Sequence, residues 1–207
     1  MQNYITVCDT SVSEYIEKHS RFIAAVFHCE SEEQANGIIA EQKTKYWDAR
    51  HNVYAYVLQN GTVRFSDDGE PHGTAGKPVL DVIKGSGLTN VLITVTRYFG
   101  GTLLGTGGLV RAYGTSAKDA LNNAPRVQMC ACTKYDINCD YSSYDRLVKL
   151  VSDLGGILQN TDFSDRVKSE VVFKDSDCET FCNKLCETFA SNIKAEEREK
   201  IFFPLKL

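Results

Sequence analysis

Five of the nine residues from Gly100 to Gly108 are glycine, and they lie between the run Val91 to Tyr98 (VLITVTRY) and an apolar-periodic stretch from Leu109 to Asn123. The run before them is β-branched and apolar, the composition of a strand buried on both faces. The stretch after them repeats at helical spacing. A buried strand, a turn that tolerates positive φ and a helix, in that order, require layers of helix packed on sheet. The N-terminal half is therefore expected to mix α and β structure around this turn.

The neighbouring segments follow the same logic. Strands are expected near Tyr4 to Cys8 and over Arg21 to His28. Ser31 with Gln34 three residues on has the pattern of a capping box, which predicts a helix continuing to about Tyr46. Asn52 to Leu58 alternates, and Asn60-Gly61 predicts a two-residue turn into a partner strand, Thr62 to Ser66. A short helix is expected from Pro78 to Lys84, stopped by Gly85-Ser86-Gly87. Trp47 and Tyr46, at the end of the first helix, are expected to pack.

Beyond Pro125 the order changes. Strand Tyr135 to Tyr141, helix Ser143 to Leu154, strands Ile157 to Phe163 and Val167 to Phe173, helix Asp177 to Ala190 and strand Ile193 to Phe203 form a β-α-β-β-α-β series, which is ferredoxin-like. The fold class is thus α+β, with domains expected at residues 1–127 and 133–207 and the Pro125 segment as linker.

Composition narrows the function. The 207 residues carry a formal net charge of −4, and neither half is basic, so a protein that coats nucleic acid by bulk charge is excluded. The N-terminus lacks a basic start followed by an apolar run, and no stretch reaches the roughly 18 apolar residues of a membrane span, so a cytoplasmic protein without a membrane partner is expected. With no export signal, the eight cysteines are expected as thiols. Cys178, Cys182 and Cys186 recur every four residues beside Phe181, Leu185 and Phe189, which predicts one buried helix stripe; the spacing lacks the close pairs of a structural zinc site. No metal and no cofactor is expected.

Three segments carry residues suited to chemistry: Arg50-His51-Asn52, then Ser66 to Pro78 (SDDGEPHGTAGKP), then Thr96 to Tyr113 (TRYFGGTLLGTGGLVRAY). Gly100, Gly101, Gly105, Gly107 and Gly108 leave backbone N–H groups exposed just ahead of a helix, flanked by Arg97 and Arg111, so an anion-facing surface that includes Arg64 and Lys77 is one reading and a tight turn the other, with Arg97 in that case free to pair with Asp67 or Glu70 and hold the fold together. The loop matches neither dinucleotide-binding nor Walker spacing. Asp67, Asp68 and Glu70 are turn and cap residues in one reading, and an acid/base or hard-metal set joined by His51 in the other. No nucleophile elbow is present.

The segments DDGEPxGTAGxP and VTRYFGGxxLGxGGLVRAY resemble the signature of the IMPACT family, including its bacterial YigZ-like members, and the resemblance is dense from about Ser20 to Asn123. It implies an N-terminal domain folded like the second domain of a small-subunit ribosomal protein and a C-terminal domain similar to the last domain of elongation factor G. It also implies a link to translational control. His72 stands where relatives carry a small residue. The reading at this point is a non-catalytic, translation-associated regulatory protein whose Gly-rich face binds RNA, the ribosome or a translation-regulatory protein. The alternative is an enzyme for a small phosphorylated or anionic substrate, with His51, Asp67, Asp68 and Glu70 as its acid/base or metal ligands. The oligomeric state stays open.

Overall fold

The computed structural model describes residues 2–206. Its elements are β1 (Tyr4–Val7), β2 (Ser11–Glu17), β3 (Ser20–His28), α1 (Glu32–Lys45), β4 (His51–Val57), β5 (Val63–Ser66), α2 (Gly76–Ser86), β6 (Val91–Tyr98), α3 (Gly105–Asn123), β7 (Arg126–Cys139), α4 (Tyr141–Asp153), β8 (Ile157–Phe163), β9 (Val167–Lys174), α5 (Cys178–Phe189) and β10 (Ala195–Lys206). The chain divides into two compact units, one essentially Tyr4–Gln128 and the other essentially Met129–Leu205. The mixed α and β class expected from the sequence is the one the chain adopts.

In the N-terminal unit the strand order is β2-β3-β6-β4-β5. The strand β6 is central because seven of its eight residues are buried, and only a strand with neighbours on both edges satisfies its backbone there. One face of the sheet, with Phe22, Ala24, Val26, Val53, Ile93 and Val95, packs on Val79, Leu80 and Ile83 of α2 and on Leu109, Tyr113 and Leu121 of α3. The opposite face packs Tyr56, Leu58 and Leu92 against Ala35 and Ile39 of α1. Ser31 caps α1 as expected, its Oγ accepting from the Gln34 N–H at 3.1 Å, while Gln34 Oε1 accepts from the N–H of Glu30, one residue before the cap, at 2.8 Å.

Two local expectations change. The strand β2 is not evident in the sequence because it carries its apolar residues outward: Val12 and Ile16 are 54% and 62% exposed while Ser11 is buried. Its turn into β3 uses Lys18 and His19 at φ 46° and 67°, without glycine. The β4–β5 loop holds Gln59, Asn60 and Gly61 rather than two residues, since the Leu58 N–H donates to Thr62 C=O at 2.9 Å and Gly61 takes φ 88°. That is a turn followed by a left-handed bulge residue.

In the C-terminal unit β7 is flanked by β9 and β10, and β8 lies outside β9, the ferredoxin-like order. Its core joins Tyr135, Ile137, Val171 and Phe173 of the sheet to Leu147 and Val151 of α4 and Phe181 and Leu185 of α5. Residues 126–139, expected to contain a linker, form one continuous strand instead; Val127, Cys130, Cys132, Tyr135 and Ile137 are all buried along it. The cysteine stripe also needs correcting. Cys178 and Cys182 are half-buried and Cys186 is exposed, because the inward line of α5 is Phe181, Leu185 and Phe189. All eight cysteines are free thiols.

Candidate functional site

The Asp67 to Pro78 turn is built by its own carboxylates. Asp67 accepts the backbone N–H groups of Gly73 at 2.8 Å, Ala75 at 3.1 Å and Gly76 at 2.8 Å, so it caps α2 from eight residues upstream, where the N-cap residue Ala75 has no side chain able to do so. Asp68, at φ 42°, accepts the Asn52 N–H at 2.7 Å and the Lys43 ammonium at 2.8 Å. Its carbonyl lies 2.8 Å from His51 Nδ1. A carbonyl only accepts, so this nitrogen carries the proton, and a neutral His51 presents Nε2 as an acceptor.

Glu70 turns inward. Its Oε1 accepts from Arg97 Nη1 at 2.6 Å and from the Tyr113 hydroxyl at 2.8 Å, and stands 3.9 Å from His51 Nε2. Arg97, Glu70 and Tyr113 are all buried. Burial, then the Glu70 charge, raises the Tyr113 hydroxyl well above its ordinary range, so it stays a donor. Arg97 Nη2 reaches Ser20 Oγ at 3.4 Å, and Arg97 Nε has no hydrogen-bond partner among the described residues. The guanidinium also lies over the rings of Phe22, at 5.5 Å, and Phe99, at 5.6 Å.

The turn after β6 is fitted to this cluster. Gly100 donates its N–H to Ser20 Oγ at 3.2 Å, and a Cβ at Gly100 would sit 2.0 Å from the carbonyl carbon of His19. Glycine is required there by close backbone approach. Gly101 and Gly105 take φ 84° and 70°. The helix α3 starts at Gly105 rather than Leu109, so Gly105, Gly107 and Gly108 form its first turn, with no side-chain cap and no acidic residue. Phe99 and Leu103 are 47% and 84% exposed on either side of the glycine pair.

The residues expected to share one basic face are dispersed. Arg97 is inside, held by Glu70. Arg64, on β5, pairs with Glu32 at 3.4 Å, and Lys77 pairs with Asp81 within α2. Arg111 is exposed and lines a recess of about 180 Å³ with Lys18, Glu17, Leu104 and Gly108. A second recess, of about 490 Å³, is lined by Arg50, His51, Asp68, Gly69, Glu70, Arg97, Phe99 and Leu103. The three carboxylates do not converge: Asp67 faces the α2 cap, Asp68 faces Lys43 and Asn52, and Glu70 faces Arg97. Among the described residues no group of three or more His, Cys, Asp or Glu is placed to hold a metal ion. Trp47, expected to pack, is 82% exposed because α1 ends before it.

Sequence reasoning missed Ser20 and Tyr113 as partners of the cluster, and Phe99 and Leu103 as its apolar rim. Only the long motif hinted at Tyr113, which lies in helical register inside it. The chain matches the model of the Impact N-terminal domain over residues 18–121.

The chain belongs to the IMPACT family.

It is 35% identical to the IMPACT family member YigZ of Escherichia coli over 88% of this chain and 91% of that protein. It is 32% identical to the IMPACT family member YvyE of Bacillus subtilis over 96% of this chain and 92% of that one. A crystal structure of a hypothetical protein superposes with a TM-score of 0.64 at 32% identity, covering 96% of this chain and 98% of the other. The stretch shared with the Impact N-terminal domain contains Ser20, His51, Glu70, Arg97 and Tyr113, so the whole buried cluster lies within it. No helix among the described residues is long and apolar enough to cross a membrane.

Proposed function

We propose that this IMPACT family member is a non-catalytic, translation-associated regulatory protein that binds RNA or a ribosome-associated partner through the Gly-rich face of its N-terminal unit. The observation that carries the reading is the start of α3. Gly105, Thr106 and Gly107 are exposed, the first turn has neither a side-chain cap nor an acidic residue, and exposed Arg111 and Lys18 line the adjoining recess. Free N–H groups at a helix N-terminus beside two cations favour an anion such as a phosphate. The family resemblance supplies the link to translation, and the fold alone does not.

The enzyme alternative is less well supported. It needs Asp67, Asp68 and Glu70 free to move protons or to gather round a cation, and each is already engaged by backbone amides or a cationic side chain.

The test is co-sedimentation with ribosomes and binding to total RNA at two ionic strengths. Wild type should bind and weaken as salt rises, since each neutralised phosphate releases counterion. Arg111→Ala should lose about 1.5–3 kcal/mol, the worth of a hydrogen bond to a charged group. Arg64→Ala and Lys77→Ala should bind like wild type. A folded Arg111→Ala protein that binds as well as wild type, or a wild type that binds neither RNA nor ribosomes, overturns the reading.

A further inference from the structure

We propose that the recess at the end of β6 is a binding site for one nucleoside monophosphate unit, taken either as a free mononucleotide or as an unstacked nucleotide of an RNA strand. The proposal uses neither Arg111 nor the amides of α3, so its test is separable from that of the proposed function. The recess measures about 490 Å³. Small-molecule sites run from about 300 to 1,000 Å³.

Its lining supplies three different chemistries. The floor is polar: Arg97, more than nine-tenths buried and held by Glu70, lies there beside His51, whose Nδ1 is 2.8 Å from Asp68 C=O. The wall is apolar, with the half-exposed ring of Phe99 and the exposed Leu103. The rim carries Arg50, which is exposed and has no ion-pair partner among the described residues.

Each chemistry matches one part of a nucleotide. A base edge carries adjacent donors and acceptors, which suit a floor made by Arg97 and His51. The flat base face stacks on an aromatic ring, here Phe99. The phosphate suits the forked guanidinium of Arg50. A purely apolar ligand would leave Arg50 and the polar floor unmatched. Inorganic phosphate would leave Phe99 and Leu103 uncovered.

The test is calorimetric titration of the full chain with the four nucleoside 5′-monophosphates, their nucleosides, inorganic phosphate and a single-stranded RNA hexamer. At least one monophosphate should bind saturably, and Phe99→Ala and Phe99→Leu should each weaken it at least tenfold, the second keeping apolar bulk while removing the ring. Arg50→Ala should weaken the monophosphate but leave the matching nucleoside unchanged. Phosphate alone should not compete. A hexamer that competes and shares both losses identifies the nucleotide as part of RNA; one that does not compete identifies a free mononucleotide. The proposal is overturned if no monophosphate binds, or if the folded variants at Phe99 and Arg50 bind as wild type does. Saturable monophosphate binding with no RNA or ribosome association would sink only the Gly-rich-face reading. RNA association lost in Arg111→Ala, with no monophosphate bound, would sink only this one.

Discussion

Arg97 Nη1 lies 2.6 Å from Glu70 Oε1 with both side chains at most 7% exposed, so the motif arginine is a core residue of the N-terminal unit and not part of its surface. Breaking such a pair strands a buried charge, which costs about 3–5 kcal/mol. Glu70→Ala and Arg97→Ala should each lose that much in urea unfolding. Because the pair is one unit, Glu70→Leu with Arg97→Met should recover much of the loss. Additive single and double losses would contradict the coupling.

Asp67 closes two amides at the start of α2, those of Ala75 and Gly76, and that of Gly73 in the turn before it. A single N-cap is worth about 0.5–2 kcal/mol, so Asp67→Ala should fall at or above the top of that range, with Asp67→Asn losing less. Amide hydrogen exchange at Gly73, Ala75 and Gly76 should quicken before global unfolding. Unchanged protection there would refute the cap.

The glycines of the motif should split by position. At Gly100 an added Cβ meets the His19 backbone, so Gly100→Ala should cost at least the 1–3 kcal/mol typical of overpacking. At Gly107, in the first turn of α3, a Cβ has open space and the backbone angle is ordinary, so Gly107→Ala should stabilise by about 0.4–1 kcal/mol. Thermal melts of the two variants check the sign of each.

Stability should fall on the alkaline side. Burial raises the Cys29 thiol from 9.0 to about 12, helped by the Glu30 charge. Burial, then the hydrogen bond to Glu32, raises the Tyr56 hydroxyl from 10.0 to about 12. Below pH 9 both states keep these protons. As pH rises from 9 towards 12 the unfolded chain loses them first, so the folded state is progressively disfavoured. Urea midpoints should therefore drop between pH 9 and 11, and less steeply in Cys29→Ala or Tyr56→Phe. A midpoint that stays level to pH 11 would count against both assignments.

The elements legible in the sequence are those whose chemistry is local. Ser31 and Gln34 cap α1 within four residues of one another, β6 declares its burial by unbroken apolar composition, and the Leu147, Val151, Phe181 and Leu185 stripes point α4 and α5 at their sheet. Elements of opposite habit were hidden. The strand β2 wears Val12 and Ile16 outward and turns without glycine, and β7 begins directly after Pro125, a residue that reads as a break.

The family, the mixed class and the place of the motif on a strand–turn–helix unit follow from spacing and composition along a short stretch of chain. The direction each charged side chain takes is settled only by the packing of distant segments. Arg97 and Arg111 lie fourteen positions apart in one motif, yet one enters the core and the other meets solvent. That difference is set by partners far away in the chain: Glu70, 27 residues before Arg97, and Ser20, 77 residues before it, hold the two terminal nitrogens of a buried guanidinium, and no local pattern brings them there.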